Sequence, residues 1–443
     1  MGPQIKFGVT CMEHILVRDI AKYAGQEVLL KGWCHNLRSS GSIFFLQFRD
    51  GSGRLQAVIS KKEVSEETWN ACQSLSIEAS VEVDGLVKAE PRAPSGFEIQ
   101  AKAVRVVALP AEEFPIGKKE HGVEFLQDLR HLWLRSSRQE AILRVRDEIA
   151  FAMREFMKER GFTLTDSPIF TPNAVEGTTD LFEVKYFDDK AYLSQSGQLY
   201  LEATSAALGK TYCFGPTFRS EKSKTRRHLT EFWMLEAEAA YMDYEQNMQL
   251  QEDMVVHVVK KVLANRREDL KTLERDTAPL EKVAEGGFPR ITHAEAVKKL
   301  QELGSDIKEG DDLGADDETL LTQQYDKPVF VHHYPVDIKA FYMKPDPQDP
   351  TRVLNDDMLA PEGYGEIIGG SQRIDDLKLL EERIASHGLP KEAFEWYLDI
   401  RRYGSVPHSG FGIGLERTVA WICKLPHVRE TIPFARLLNR LKP

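Results

Sequence analysis

The densest run of side chains able to do chemistry lies between Phe218 and Glu236. Phe218-Arg-Ser-Glu221 leads into a polar loop carrying Lys222, Lys224, Arg226, Arg227 and His228, and Thr230-Glu-Phe-Trp-Met-Leu-Glu236 follows. Apolar and aromatic residues on both sides of the loop predict a strand, a cationic tip and a second strand. A cationic tip alone is usually a solvated surface. Arg219 is enclosed on the strand side, however, where its guanidinium fork matches phosphate or carboxylate oxygens, and Phe232 offers a flat face for a base.

Two further segments extend this chemistry. Gly410-Phe-Gly-Ile-Gly-Leu-Glu-Arg417 joins a polar turn to an apolar helix. As G-x-G-x-G it is a weak dinucleotide signal, because the βαβ context is missing, and its glycines are equally explained by close packing. Arg417 in the first helical turn opposes the helix dipole, which suggests an anionic ligand for its guanidinium. Asp356-Asp357 and Glu366 flank a Gly/Pro turn, and Gly365-Glu-Ile-Ile-Gly-Gly-Ser-Gln-Arg373 reads as a strand. Carboxylates beside a polyphosphate suit Mg²⁺, which takes a few protein oxygens and completes its shell with water and phosphate. Solvated acidic loop residues are the simpler reading for Asp356, less so for Glu366 within an apolar strand.

These segments need a frame. Ser137-x-x-Glu140 predicts a capping box opening a helix that repeats Ile142, Val145, Ile149, Met153 and Phe156 and stops at Gly161. Beyond it strands and helices alternate irregularly without a Gly-rich phosphate loop, which favours α+β over a doubly wound sheet. Upstream, residues 27–35, 42–49, 54–60 and 77–88 read as short strands punctuated by Gly, Ser or Asp-Gly, with one helix at 65–75. That is the pattern of a small closed barrel such as the OB-fold, with a small β-sandwich as the alternative. The expected organisation is a barrel domain at 1–109, a hinge at 110–135 and a second domain at 136–443, interrupted by a helical insertion at about 245–325. The acidic stretches Gly310-Asp-Asp312 and Asp316-Asp-Glu318 in that insertion read as solvated surface, or as an acidic interaction face.

The 443 residues favour two or three domains, and a net charge of −11 excludes a uniformly basic nucleic-acid coat while leaving room for local basic patches. Five dispersed cysteines without a C-x-x-C pair argue against a disulfide framework or a structural zinc. With no long apolar run, no apolar leader core, and Lys6 where myristoylation needs Ser or Thr, the expectation is a cytoplasmic protein with no membrane partner.

Arg160-Gly161-Phe162 with Ser167-Pro168, the 218–236 hairpin and the 410–417 segment, in this order, resemble motifs 1, 2 and 3 of the class II aminoacyl-tRNA synthetases. With an OB-like barrel in front, the chain resembles the subgroup of aspartyl, asparaginyl and lysyl enzymes over nearly its whole length. Arg226 to Glu236, Tyr334-Pro-Val-Asp-Ile-Lys-Ala-Phe-Tyr342, Gly365 to Arg373 and Arg402-Tyr-Gly-Ser-Val-Pro-His-Ser-Gly410 are similar to the asparaginyl branch. Aspartyl relatives carry Ser-Pro-Gln-Leu-(Phe/Tyr)-Lys in the amino-acid pocket. This chain reads Ser196-Gly-Gln-Leu-Tyr-Leu201, and a leucine in place of that lysine suits a neutral amide.

The resemblance implies ATP-dependent activation of L-asparagine and its transfer to the 3′ end of tRNA(Asn), by a homodimer whose interface motif 1 builds. It implies that Arg219 holds the α-phosphate and substrate carboxylate, that Phe232 and Arg417 sandwich the adenine, and that Arg227 and His228 reach the distal phosphates. Asp357 and Glu366 would hold Mg²⁺, although their spacing is slightly longer than in the aspartyl branch. Glu176, Ser196 and Gln198 would surround the α-ammonium, and Arg373 would face the side-chain carbonyl beside Leu201, with Glu221 as acceptor for the amide NH₂. Phe45, Gln56 and Arg38 would bind the anticodon; for Phe45, a place in the barrel core is the alternative. An aspartyl enzyme of relaxed tRNA choice and a catalytically dead RNA-binding relative remain the competing readings.

Overall fold

Strict alternation sets the architecture of the first unit. In β2 (Ile43–Arg49) and β3 (Arg54–Ser60) every second residue is buried, so Phe44, Leu46, Phe48, Leu55, Ala57 and Ile59 form an inner face. With β1 (Glu27–Ser40), β4 (Ser80–Ala89) and β5 (Phe97–Ala108) they close into a barrel of order β1-β2-β3-β5-β4, which excludes the sandwich. Closure brings backbones together at Gly32, where a Cβ would lie 2.2 Å from the Arg49 carbonyl oxygen. The one helix, α1 (Glu66–Ser74), is capped by Ser65, whose hydroxyl accepts from Thr68 N–H.

The computed structural model describes residues 14–93, 95–117, 119–172 and 181–443, and its two units divide between His121 and Gly122. The second half of the expected hinge therefore belongs to the second unit. It folds as α2 (Val123–Asp128) and α3 (Arg130–Trp133), held by the buried Arg130 guanidinium, which donates to the carbonyls of Glu430, Ile432 and Pro433.

The second unit is built on a sheet of order β12-β13-β14-β15-β16-β11-β10-β6. Its strands are β6 (Thr163–Leu164), β10 (Lys210–Phe218), β11 (Glu231–Ala240), β12 (Arg290–Thr292), β13 (Val329–His332), β14 (Asn355–Ala360), β15 (Gly365–Gln372) and β16 (His408–Gly414). All neighbours pair antiparallel except β6–β10 and β12–β13. A small sheet of β7 (Phe170–Thr171), β8 (Glu183–Tyr186) and β9 (Asp189–Leu193) stands apart. The architecture is α+β, as the irregular alternation predicts.

The helix α4 (Ser137–Glu159) buries Ile142, Val145, Ile149, Met153 and Phe156, and the chain turns at Gly161 with φ +78°. Its N-cap differs from expectation. Ser136 has the extended backbone of a cap and accepts from Gln139 N–H, one residue before the predicted box.

The expected insertion is corrected more deeply. Helix α6 (Tyr244–Asn265) opens with an Asp243/Gln246 capping box and buries Met248, Met254, Val255, Val258, Val259 and Val262 in the same core as α4 and the sheet. Its periodicity records a helix packed into the core. The helices α7 (Arg267–Thr272) and α8 (Ala278–Val283) continue that core, and α9 (His293–Glu302) and α10 (Ala315–Thr322) pack against the β13 side of the sheet. Between Ser196 and the C-terminus, α5 (Gln198–Leu208), α11 (Leu377–Ser386), α12 (Glu395–Arg402) and α13 (Leu415–Ile422) complete the unit. Among the described residues no helix is long and apolar enough to cross a membrane.

Candidate active site

A cavity of about 520 Å³ opens over β11, β15 and β16. Strand alternation supplies its floor: Phe232, Met234 and Glu236 of β11 share a face and line it together. The 410–414 glycines make room beneath. A Cβ at Gly410 would lie 2.0 Å from Glu238 Oε2, and one at Gly412 would lie 2.6 Å from Met234 Cε. They therefore serve close packing within a strand, and no phosphate-cradling loop is present there.

One end of the cavity is bounded by Ser196, Gln198, Leu201 and Arg373. Glu238 receives Arg373 at 3.0 Å, and both side chains are almost wholly buried. Arg373 Nη1 also donates to Ser371 Oγ at 2.6 Å. Burial alone would weaken the proton's hold on this guanidinium, yet Glu238 and Glu202 outweigh it and raise its pKa, while burial raises that of Glu238. Behind lies a second buried pair, Arg401 to Glu202 at 2.5 Å, joined by His408 Nε2 at 3.0 Å and by Tyr397 Oη at 2.8 Å. Glu236 stands on the same strand face as Glu238 and reaches the cavity; it accepts from Ser196 Oγ and, at 2.8 Å, from Gly197 N–H.

The other end carries the phosphate-type chemistry. Arg219, at the end of β10, is anchored by Arg219 N–H to the Thr230 carbonyl at 3.0 Å, and its guanidinium lies 5.4 Å from the Phe232 ring centroid. Arg417 Nη1 donates to Glu366 Oε2 at 2.9 Å and to the Glu366 carbonyl at 3.0 Å. Burial works against the Glu366 anion, but Arg417, Lys339 and Arg219 hold its carboxyl below the usual range. Arg227 is held by Glu318 at 2.6 Å, by Thr319 Oγ1 and by the Gly363 carbonyl. His228 bonds Thr225 Oγ1, and burial, with Arg417 and Arg219 nearby, lowers its pKa.

Of the residues singled out from sequence, Arg219, Arg227, His228, Phe232, Glu366, Arg417, Ser196, Gln198, Leu201, Arg373 and Asp357 all line this one cavity. Glu176 lies outside the described residues. Glu221 is not among the residues that line the cavity: it sits in a small adjoining depression that shares Arg219 and His228 with it and adds Ser223, Thr230 and Leu438, because Glu221 follows the end of β10. Glu236 is the carboxylate that reaches the cavity beside Ser196, and strand alternation from Phe232 was the signal for it. Glu318, read as solvated, faces inward because positions 318, 321 and 322 share one side of α10. Burial and the nearby Glu366 push its carboxyl up to about 7. Lys339 is the other addition, with Nζ 2.8 Å from Asp357 Oδ2.

The residues fit a hard divalent cation. A Cβ on Gly369 would meet Glu366 Oε1 at 3.3 Å and Asp357 Oδ1 at 3.6 Å, so two carboxylate oxygens converge over a bare strand position beside the arginines.

In the barrel, Arg38 pairs opposite Phe45, and Gln47 opposite Gln56, which places Arg38, Phe45 and Gln56 on one outer face. Phe45 is half-buried, while Phe44 and Leu46 take the core positions.

Residues 122–438 match the family of class II tRNA synthetases (D, K and N), and residues 28–107 match the OB-fold nucleic acid binding domain. The chain is 57% identical over 432 residues to an asparagine–tRNA ligase of Pelotomaculum thermopropionicum, covering 98% of this chain and all of that one. It is 55% identical to one of Thermus thermophilus, covering 97% and 100%. The crystal structure of asparaginyl-tRNA synthetase from Pyrococcus horikoshii complexed with asparaginyl-adenylate superposes with a TM-score of 0.94 at 46% identity, over 97% of this chain and 100% of that one. With this cavity, this barrel and likeness of this extent, the chain belongs to the class II tRNA synthetases of the D, K and N family, on the branch of the asparagine–tRNA ligases.

Proposed function

We propose that the chain joins L-asparagine to tRNA(Asn) at the expense of ATP, in two steps within the one cavity. An asparagine carboxylate oxygen attacks the α-phosphorus, forming the acyl-phosphate bond as the bond to pyrophosphate breaks. A ribose hydroxyl at the tRNA 3′ end then attacks the acyl carbon, and AMP leaves. Such transfers depend on positioning and charge stabilisation. Arg219 holds the α-phosphate and substrate carboxylate, Phe232 and Arg417 flank the adenine, and Arg227 and His228 receive the distal phosphates. Asp357 and Glu366 would hold Mg²⁺, which neutralises phosphate charge when bound.

The observation that carries the choice of amino acid is the Arg373–Glu238 pair beside Leu201. The arginine's charge is already matched, and leucine adds none, so the amide end offers no spare cation for a second carboxylate. Arg373 is left with hydrogen-bond capacity for one carbonyl oxygen. Glu236, beside Ser196, accepts from the amide NH₂, a role Glu221 does not fill. Aspartate would turn an anionic oxygen towards Glu236. Sites built on hydrogen-bond polarity discriminate by about 10⁴ or more without editing. ATP–pyrophosphate exchange should therefore be strong with asparagine and nearly absent with aspartate; comparable rates would overturn the asparagine assignment in favour of a relaxed aspartyl enzyme, and no exchange with either would favour a non-catalytic RNA-binding role.

The barrel face of Arg38, Phe45 and Gln56 binds the anticodon. A homodimer is favoured by two exposed apolar side chains that a C₂ partner would cover, Phe151 on α4, 65% exposed, and Leu164 on the edge strand β6. A stable species of single-chain mass in light scattering would exclude it. Among the described residues four cysteines are buried and free, which agrees with a reducing, cytoplasmic setting.

A further inference from the structure

Where β13 ends and α6 begins, in a cluster separate from the cavity residues, three side-chain donors meet at one point. His332 Nδ1 lies 2.9 Å from Tyr244 Oη, His333 Nδ1 lies 3.3 Å from the same oxygen, and the two Nδ1 atoms are 2.6 Å apart. An ion ~2.0–2.1 Å from each of them, the ordinary zinc–nitrogen distance, stands about 1 Å above their plane, and the two imidazole nitrogens must spread apart to admit it in tetrahedral geometry. We propose that Tyr244, His332 and His333 form a binding site for a divalent transition metal such as Zn²⁺.

The surroundings are those of a metal-binding histidine pair. His333 Nε2 lies 3.2 Å from Asp346 Oδ2, a contact that assigns the proton to Nε2 and leaves the Nδ1 lone pair facing the cluster. Carboxylates behind ligating histidines orient rings in this way. Burial, then His333, lowers the His332 pKa to about 4 against the opposing pull of Glu295, so its ring is a neutral donor. His333 holds φ +57°, a left-handed backbone unusual for a residue with a Cβ, which turns consecutive imidazoles towards one point instead of to opposite strand faces. Tyr244 is the first residue of α6 and is buried. Burial and the neighbouring Asp356 raise its pKa, so the phenolate forms only when a bound ion displaces the proton.

Two imidazoles and one phenol oxygen select Zn²⁺, Cu²⁺ or Ni²⁺ over Mg²⁺, which separates this site from the carboxylate pair at Asp357 and Glu366. The two are neighbours in the sheet, since His332 pairs with Asp356 across β13 and β14. A bound ion would tie the end of β13 to the start of α6, next to the strand that carries Asp357.

The test is titration of the untagged, chelator-treated full chain with Zn²⁺, read by calorimetry and thermal unfolding. The expected result is one tight equivalent that raises the unfolding midpoint and persists in an Asp357→Asn/Glu366→Gln double variant. His332→Gln and His333→Asn should each abolish it; asparagine tolerates the left-handed backbone at 333 and keeps the fold. Asp346→Asn should weaken it about 10–100-fold. Tyr244→Phe should remove the phenolate-to-metal charge-transfer band of the Cu²⁺ form. Absence of any zinc uptake by the parent chain, or unchanged affinity in a folded His332→Gln/His333→Asn variant, would overturn the site and leave a hydrogen-bonded cluster.

Discussion

At the end of the cavity proposed to take the amide, Arg373 and Glu238 are 4% and 0% exposed; at the end proposed to take the nucleotide, the corresponding pair, Arg417 and Glu366, are 25% and 37% exposed. Both are arginine–carboxylate contacts near 3 Å, yet they serve different purposes. The first pair is backed by Glu202, Arg401, His408 and Tyr397, so nearly every charge there is answered by protein. A substrate meets a surface of fixed polarity that cannot rearrange to accept an extra charge. The second pair is partly exposed to the cavity, so its mutual contact can be exchanged for contacts with a bound phosphate more readily than that of the first. Discrimination calls for saturated charges, and phosphate binding calls for charges that can be redirected.

Breaking the buried pair should have the largest effect. Arg373→Met would leave Glu238 without its partner in a site closed to water, a change worth about 3–5 kcal/mol of folding stability. Denaturant unfolding should show that loss, and asparagine exchange should fall with it. Near-parental stability would mean that Glu238 takes up a proton at little cost and that the amide end is less fixed than argued.

At the exchangeable end the expected loss is catalytic. Arg219→Ala removes a charge-stabilising contact at the reacting phosphate, worth roughly 10²–10³ in rate, while the unfolding midpoint and tRNA binding by the barrel hold. Near-normal pyrophosphate exchange in the folded variant would take Arg219 out of the phosphate site.

The barrel sharpens the comparison from outside the cavity. Phe45→Ala should leave tRNA-independent asparagine activation unchanged and raise the tRNA concentration needed for aminoacylation, since stacking on an aromatic ring is worth about 1–3 kcal/mol per base. Unchanged tRNA affinity would assign Phe45 to a face that makes no contact.

The contrast between the two ends also explains what the sequence made legible. Arginines and the cationic hairpin announced the nucleotide end because exchangeable charges lie in short contiguous segments. Phe232 and Arg219 face each other across one hairpin, and Glu366 and Arg417 stand at a strand start and a helix start. The amide end is assembled from α5, β11, β15, α12 and β16, so Glu202, Glu238, Arg401 and His408 share no local pattern. Their partnership appears only when the sheet brings β11 beside β16. The barrel was legible because alternation is local, and α6 was misplaced because its apolar period says that it is buried but not against what. Glu318 was hidden by its acidic neighbours: Asp316, which is exposed, and Asp317, which accepts from Gly314 N–H and Ser305 Oγ at the helix start.

The smallest expected effect tests the amide end most sharply. Glu221 follows the last residue of β10 and lies with Ser223 and Thr230 outside the cavity, whereas Glu236 is buried within it and already accepts from Ser196 and Gly197. Glu221→Gln should shift asparagine exchange by no more than about 0.5 kcal/mol, since Glu221 acts on the site only through its charge near His228. Glu236→Gln keeps the size of the side chain but turns charge-assisted contacts into neutral ones, each charged bond being worth about 1.5–3 kcal/mol. It also removes the negative charge that repels aspartate. Asparagine use should fall and the asparagine-to-aspartate ratio should narrow, in a variant whose unfolding curve shows it folded. The opposite pattern, a ratio that collapses in Glu221→Gln and survives in Glu236→Gln, would move amide recognition to the hairpin tip. The loop would then have to fold into the cavity on binding substrate, and the amide end would be exchangeable like the other.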